Sequence, residues 1–255
     1  MTASEGRTAM NDITWKVGGA QGEGIDSTGE ILATTLNRMG YYLFAYRHFM
    51  SLIKGGHTNY KIRIAKEPVR YHGDRLDILI AFDQLSIDEN AHELIDGSIV
   101  LHDAKFAPQW PEGTARIHAL AVPMTATAKE LGNVIIKNMV AVGASIHVLG
   151  LDPEPFIEVI AEKFGRKGSA IVEHNKKAIM SGYDYCREQY VDSVKQLPER
   201  PKAERPHLLM TGNEAVGLGA MLAGCRLLAA YPITPATEIL YWLLANMPKY
   251  GGEII

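Results

Sequence analysis

Six residues, Asp77-Ile78-Leu79-Ile80-Ala81-Phe82, set the strongest constraint on what this chain can fold into. From Ile78 onward the run is apolar without alternation. That marks a strand buried on both faces, which needs packed layers above and below it. Ser98–His102 repeats the pattern after a candidate helix at Ile87–Leu94. Upstream, Ile13–Val17 is a short strand that runs into a glycine-rich turn, Gly18–Gly24. Ile25, Ile31, Leu32, Leu36 and Met39 then follow a helical period that Gly40 stops. Tyr42–Tyr46 is strand-like, a polar glycine-containing stretch covers Arg47–Asn59, and Tyr60–Ala65 alternates with Tyr60, Ile62 and Ile64 on one face. Strands and helices in alternation predict an α/β fold, Rossmann-like, with a largely parallel sheet.

After Pro123 the pattern turns helical: Thr125–Leu131, Asn133–Leu149, Pro153–Phe164 and Ser169–Tyr190 form a helical flank for the sheet. Residues 191–206 are rich in proline and charge and bury little, so they are expected to be a linker and a domain boundary. Beyond it come a strand, a turn at Gly212-Asn213-Glu214-Ala215, a small-residue helix, a strand ending at Tyr231 and another helix. Residues 1–11 are a polar tail without the apolar region of a secretory signal.

Composition narrows the function classes. A net charge of -3 over 255 residues gives no support for nucleic acid binding. No apolar run approaches the roughly 20 residues of a membrane span. The two cysteines, Cys186 and Cys225, are far apart, which argues against a disulfide framework, a zinc site or an iron–sulfur cluster held by this chain. The expected setting is a cytoplasmic one.

Three segments carry candidate chemistry. Gly18, Gly19, Gly22 and Gly24 lie between a strand and a helix N-terminus, where free backbone N–H groups favour an anion. The spacing is a loose relative of the dinucleotide fingerprint, Glu23 adds a negative charge, and a nicotinamide dehydrogenase is disfavoured. The bland alternative is that the glycines serve close strand–helix packing. Lys54, Gly55, Gly56 and His57 form a second segment, suited to a phosphate or coenzyme A, or else an exposed loop that turns the chain. His57 has no partner at metal-ligand spacing, and no metal site is expected. In the third segment, Tyr231-Pro232-Ile233-Thr234-Pro235, two prolines restrict the backbone around Thr234, whose hydroxyl suits a carboxylate or carbonyl oxygen. Pro235 also fits an ordinary helix start, and Thr234 or Thr237 a cap. Gly224 and Cys225 fit helix packing.

Taken in order, GGAQGEGI, IKGGHTNY, DILIAF and GNEAVGLGAMLAG…YPITPATE resemble the alpha subunits of 2-oxoacid:ferredoxin oxidoreductases. Residues 12–190 resemble the gamma domain of that family, and residues 207–255 the beginning of its thiamine-diphosphate pyrimidine-binding α/β domain. The resemblance implies oxidative decarboxylation of a 2-oxoacid, with 2-oxoglutarate the expected one, by thiamine diphosphate. The acyl group would pass to coenzyme A and electrons through a 4Fe-4S cluster to ferredoxin. Magnesium, the cofactor's diphosphate and the cluster would belong to a beta subunit, in a heterodimer or a dimer of heterodimers. By position, Thr234 would touch the substrate carboxylate or the cofactor, with Tyr231, Pro232, Ile233 and Pro235 as its wall. The glycine loop and Lys54–His57 would lie near a subunit contact or the coenzyme A path. The family's acidic residue for the aminopyrimidine ring lies past the Ile255 end of this sequence, and Glu214 does not replace it. The chain alone is therefore expected to be inactive, with residues 207–255 poorly ordered, docked, or paired with another chain. A non-catalytic nucleotide- or coenzyme-A-binding assembly module is the alternative.

Overall fold

The computed structural model describes residues 12–49, 56–201, 207–234 and 236–255. The tail 1–11, Lys54, Gly55, Pro235 and the end of the proposed linker at 202–206 lie outside the described residues. The chain divides into two compact units, one up to His207 and one from Leu208.

In the first unit the elements run β1 (Asp12–Ala20), α1 (Ile25–Arg38), β2 (Tyr42–Phe49), β3 (His57–Ala65), β4 (Leu76–Ala81), α2 (Gln84–Asp88), β5 (Leu94–Asp103) and β6 (His118–Val122). Helices α3 (Met124–Glu130), α4 (Lys137–Val148), α5 (Glu154–Phe164) and α6 (Ser169–Gln189) follow. The six-stranded sheet has the order β2-β3-β1-β4-β5-β6. The pairings of β1 with β4, β4 with β5 and β5 with β6 are parallel, whereas β3 runs antiparallel to β1 and β2. The sheet is thus mostly parallel, with an antiparallel hairpin at one edge.

The double burial of β4 is observed. Ile78, Ile80 and Phe82 enter the large core with Trp15, Ile62, α1 and the later helices, while Leu76, Leu79 and Ala81 pack in a smaller cluster with Ile87, Ala91 and Val100. Helix α4 is buried along its length, and it crosses α6 at two glycines. A Cβ at Gly143 would lie 1.9 Å from the Ile179 carbonyl oxygen, and one at Gly182 would lie 2.0 Å from that of Val140. The two helices therefore touch backbone to backbone.

The opposite face of β1 and β3 is polar and yet buried. Lys16 and Lys61 are register partners on neighbouring strands, and both donate to Glu93, at 2.7 and 2.8 Å. Lys61 also donates to the Gly73 carbonyl. Burial alone would raise the Glu93 carboxyl's pKa, but hydrogen bonds from the two lysines outweigh it and hold the group below its ordinary value. Burial pushes the Lys16 amine down despite Glu93.

Several sequence expectations are corrected here. Gly18 and Gly19 are strand residues, not turn residues, because β1 continues to Ala20. Arg47–Phe49 and His57–Asn59 belong to β2 and β3, whose antiparallel pairing runs on to Phe49 opposite Thr58. The helix expected at Ile87–Leu94 is instead α2 with a three-ten turn at Ala91–Glu93, and Leu94 opens β5. Strand β6 was not anticipated, and a three-ten turn at Val134–Ile136 delays α4 to Lys137. The first part of the proposed linker is not free: Leu197 is buried, Lys195 N–H donates to the Val148 carbonyl and the Tyr41 hydroxyl donates to that of Pro198.

The second unit holds α7 (Gly212–Leu222), β7 (Leu227–Leu228), α8 (Thr237–Asn246) and β8 (Glu253–Ile254), with β7 and β8 parallel. Its core is small, built on Met221, Leu243 and Met247. Among the described residues of the second unit, no strand precedes α7. Gly212–Ala215 is the first turn of α7 rather than a separate turn, because Thr211 and Glu214 form a reciprocal capping box. Gly224 meets no neighbour that a Cβ would touch, and its φ of +95° makes it a chain-reversing residue after α7 instead of a packing one.

Two outcomes follow for stability. A Gly→Ala change inside a helix ordinarily gains about 1 kcal/mol, but at Gly143 or Gly182 the carbonyl clash wins. Each variant is expected to lose about 1–3 kcal/mol, read as a lower urea midpoint. Glu93→Ala leaves two buried lysines without a carboxylate and is expected to cost about 3–5 kcal/mol, while Asp96→Ala, which breaks only an exposed pair with Arg116, leaves the midpoint unmoved.

Candidate functional site

The parallel strands β1 and β4 are neighbours whose chain connections leave in opposite directions, β1 toward β2 and β4 toward β5. Their carboxyl ends therefore flank a topological switch point, the usual ligand crevice of an open α/β sheet. The antiparallel β3 brings its amino end to the same edge. Ala20 is the register partner of His57, and Gln21 N–H donates to the Gly56 carbonyl at 3.0 Å. The two glycine segments, separate in sequence, are thus adjacent in space.

Each glycine has its own reason. A Cβ at Gly18 would meet His57 and Ser86 at 3.0 Å, and one at Gly19 would meet the Glu23 carboxylate at 2.8 Å and Ile25 at 2.9 Å. These two positions serve close packing. Gly22 and Gly24 have φ of +93° and +81°, and Gly24 also lies where a side chain would strike Asn138 at 2.2 Å. Gly24 is the N-cap of α1 and provides no side-chain cap.

The loop supplies its own anion. One Glu23 carboxylate oxygen accepts from the Ala20 N–H at 3.0 Å, and the other pairs with the Lys137 ammonium at the start of α4. Lys137 also lies over the Phe82 ring, 4.9 Å from its centroid. A carboxylate held here by a nearly buried cation takes the place that a phosphate would need, which weakens the dinucleotide reading further.

The acidic residues at the strand ends are likewise committed. Asp83 accepts from the N–H and hydroxyl of Ser86, capping α2. Asp103 accepts from the Thr125 hydroxyl and from the Lys105 and Thr125 N–H groups. Lys137, Asp83 and Asp103 escape sequence reasoning because they reach this edge from distant segments. Asp83 and Asp103, each at the end of an apolar strand, carry a local signal, and Lys137 carries none. Among the described residues no group of three or more His, Cys, Asp and Glu is placed to hold a metal ion, and no helix is long and apolar enough to cross a membrane.

His57 is not part of an exposed loop: it is 2% exposed, at the start of β3. Burial depresses its pKa, the nearby Asp83 and Glu89 carboxylates pull it back up in part, and His48 and Lys16 push it further down.

The third segment lies in the second unit. The strand before it is only Leu227–Leu228, so it ends well short of Tyr231. Tyr231, Pro232, Ile233 and Thr234 are exposed, and the Ile233 carbonyl accepts from the Thr237 N–H in the first turn of α8. Asn213 at the start of α7 donates to Glu238 in that same turn, at 2.8 Å, so GNEA and YPIT stand side by side at two helix N-termini.

The His57 geometry has a stability consequence. A base with a lowered pKa binds fewer protons when folded than unfolded. The folded state is therefore unpenalised above about pH 6.5 and loses stability as pH falls toward the depressed value. His102, lowered first by burial, acts in the same direction. One such group contributes at most about 1.4 kcal/mol per pH unit. Urea midpoints between about pH 5 and 8 are expected to fall on acidification for the wild type and less steeply for His57→Gln; an unchanged slope would sink this assignment.

Comparison with known proteins agrees with this architecture. Residues 14–185 match the family described as pyruvate ferredoxin/flavodoxin oxidoreductase. A 2-oxoacid:ferredoxin oxidoreductase subunit alpha from Sulfolobus sp is 26% identical over 268 residues, covering 89% of this chain and 41% of that protein. The structure of 2-oxoglutarate:ferredoxin oxidoreductase from Magnetococcus marinus, with 2-oxoglutarate, coenzyme A and succinyl-CoA bound, is 32% identical at a TM-score of 0.87. That match covers 96% of this chain and 43% of the other. The keto/oxoacid ferredoxin oxidoreductase gamma subunit from Geobacter sulfurreducens PCA is 25% identical at a TM-score of 0.55, over 68% of this chain and 96% of that subunit. The chain thus spans about two fifths of the length of the alpha-subunit relative it matches. With residues 14–185, about two thirds of its length, matching that family, the chain belongs to the pyruvate ferredoxin/flavodoxin oxidoreductase family.

Proposed function

We propose that this chain is the gamma-type body and the first active-site wall of a 2-oxoacid:ferredoxin oxidoreductase alpha subunit that acts on 2-oxoglutarate. The observation that supports it most is the likeness, over 96% of the chain, to an enzyme described with 2-oxoglutarate, coenzyme A and succinyl-CoA. Thiamine diphosphate, when bound, supplies a nucleophilic carbon for the keto group and an electron sink for decarboxylation. Tyr231, Pro232, Ile233 and Thr234 fit one side of such a site, since they offer a ring, apolar surface and a hydroxyl but no metal ligand. Thr234 is the residue assigned to the substrate carboxylate or the cofactor ring. Its hydroxyl donates one hydrogen bond and orients what it holds, while Tyr231, Pro232 and Ile233 are assigned to the wall beside it.

The diphosphate, magnesium and a 4Fe-4S cluster are assigned to a beta subunit, coenzyme A is the acyl acceptor and ferredoxin takes the electrons. The apolar groups that the second unit exposes, among them Tyr231, Ile233, Tyr241 and Leu244, are consistent with burial against further protein. The edge formed by Gly18–Gly24 and Gly56–His57 is assigned to a subunit contact or the coenzyme A path.

Co-expression with a beta-type subunit, with the alpha subunit both as given and extended to the length of its relatives, tests this reading. The extended complex is expected to reduce a dye when given 2-oxoglutarate and coenzyme A, with pyruvate and 2-oxoisovalerate turned over more slowly. In the active complex, Thr234→Val is expected to lower kcat/KM by roughly 10- to 100-fold, the loss of one hydrogen bond to a charged group, and Thr234→Ser to restore most of it. No turnover of any 2-oxoacid by the extended complex would overturn the reading.

A further inference from the structure

Three polar atoms at the switch point have no partner. Both ring nitrogens of His57 and Oδ1 of Asn59 are buried without a hydrogen bond. The two side chains are 2% and 6% exposed. They stand two residues apart on β3 and so share a face, where Asn59 is the register partner of Gly18. The floor there is bare backbone, since a side chain at Gly18 would meet both the His57 ring and Ser86.

The hydrogen bonds of the polar neighbours go to other groups. The Ser86 hydroxyl donates to Asp83 at 2.6 Å, the Asn90 amide to the Ser86 carbonyl at 2.6 Å, and the Lys16 ammonium to Glu93 at 2.7 Å. Buried polar atoms in native proteins are satisfied by protein, water or ligand, so three orphans at one spot call for a further group.

The chemistry of that group follows from the atoms. A neutral imidazole offers one donor and one acceptor, and the Asn59 oxygen offers one more acceptor. An O–H group complements them: its oxygen accepts from the ring N–H and its hydrogen goes to an open acceptor. An anion is disfavoured, because the three unpartnered atoms offer one N–H between them and the Asp83 and Glu89 carboxylates act on the ring more strongly than Lys16 does. We infer that His57 and Asn59 form a binding site for one neutral hydroxyl-type oxygen, either a water molecule or the hydroxyl of a larger molecule that enters between the ends of β1 and β4. An internal water with two or three polar partners meets the ordinary requirements of such a site.

Crystals of the 255-residue chain grown without polyols, at a resolution that shows single waters, are expected to hold an oxygen within hydrogen-bond distance of a His57 ring nitrogen and Asn59 Oδ1. Nitrogen-15 spectra of the same chain are expected to show His57 in one fixed tautomer, which Asn59→Leu releases. Glycerol and D-ribose then separate the sources. A shift of the His57 ring signals on their addition assigns the site to a ligand hydroxyl, and no shift assigns it to water. A dry site, or a direct His57–Asn59 hydrogen bond with no oxygen between them, overturns the inference. So does a tautomer unaffected by Asn59→Leu. None of these readouts depends on turnover, so failure here is distinct from failure of the oxidoreductase reading.

Discussion

Two lysines that face each other across adjacent strands would repel unless something negative stands between them. Lys16 and Lys61 are such a pair, and Glu93 accepts from both. Like charges directly opposite one another in a sheet are destabilising, so the β1–β3 pairing tolerates this register only with the Ala91–Glu93 turn in place. A slip of one residue would move the lysines into the apolar face with Trp15 and Ile62 and move those residues out. Everything at the functional edge depends on this register. It places Ala20 against His57, brings Gly56 within reach of Gln21, and sets the His57 ring over the bare backbone of Gly18.

The same polar face explains where sequence reading succeeds and where it stops. The run Ile78–Phe82 is legible because a doubly buried strand excludes polar residues, and the helix at Ile25–Arg38 is legible because one face alone is apolar. His57, Thr58 and Asn59 look like loop residues because their burial is satisfied by polar partners far away in sequence, or by none. Gly18 and Gly19 look like a turn for a related reason: the clashes that demand glycine come from Ser86, Ile25 and Phe82, which no local pattern connects. The turn at Val134–Ile136 and the short β6 fail for want of a period long enough to recognise. In the second unit the YPIT segment reads as a strand end, yet its side chains are exposed and the strand stops at Leu228.

Glu23 shows how one residue redirects a familiar arrangement. Strand, glycine loop and helix N-terminus together attract anions, and a spacing rule alone cannot tell whether the anion is a ligand or part of the chain. Here the carboxylate is internal, oriented by the Ala20 N–H and paired with Lys137. Lys137 begins α4, where a cation is disfavoured by the helix dipole, and Glu23 offsets that penalty. The loop is thereby tied to the helical layer, and its glycines are explained without a nucleotide. Family membership was legible in the order of several motifs, none of which was decisive by itself.

The two units differ in how completely they satisfy their own residues. The first surrounds β1 and β4 on both faces and leaves its unmet polar demand at a few buried positions, His57 and Asn59 among them. The second buries Met221, Leu243 and Met247 but leaves Tyr231, Ile233, Tyr241 and Leu244 in solvent, so its unmet demand is apolar and lies at the surface. An apolar demand is met by burial against another protein surface, whereas an orphan imidazole is met by a single hydrogen-bonding atom. The second unit therefore leaves apolar surface to be covered, and the crevice of the first leaves room for one hydrogen-bonding oxygen, from water or from a ligand hydroxyl.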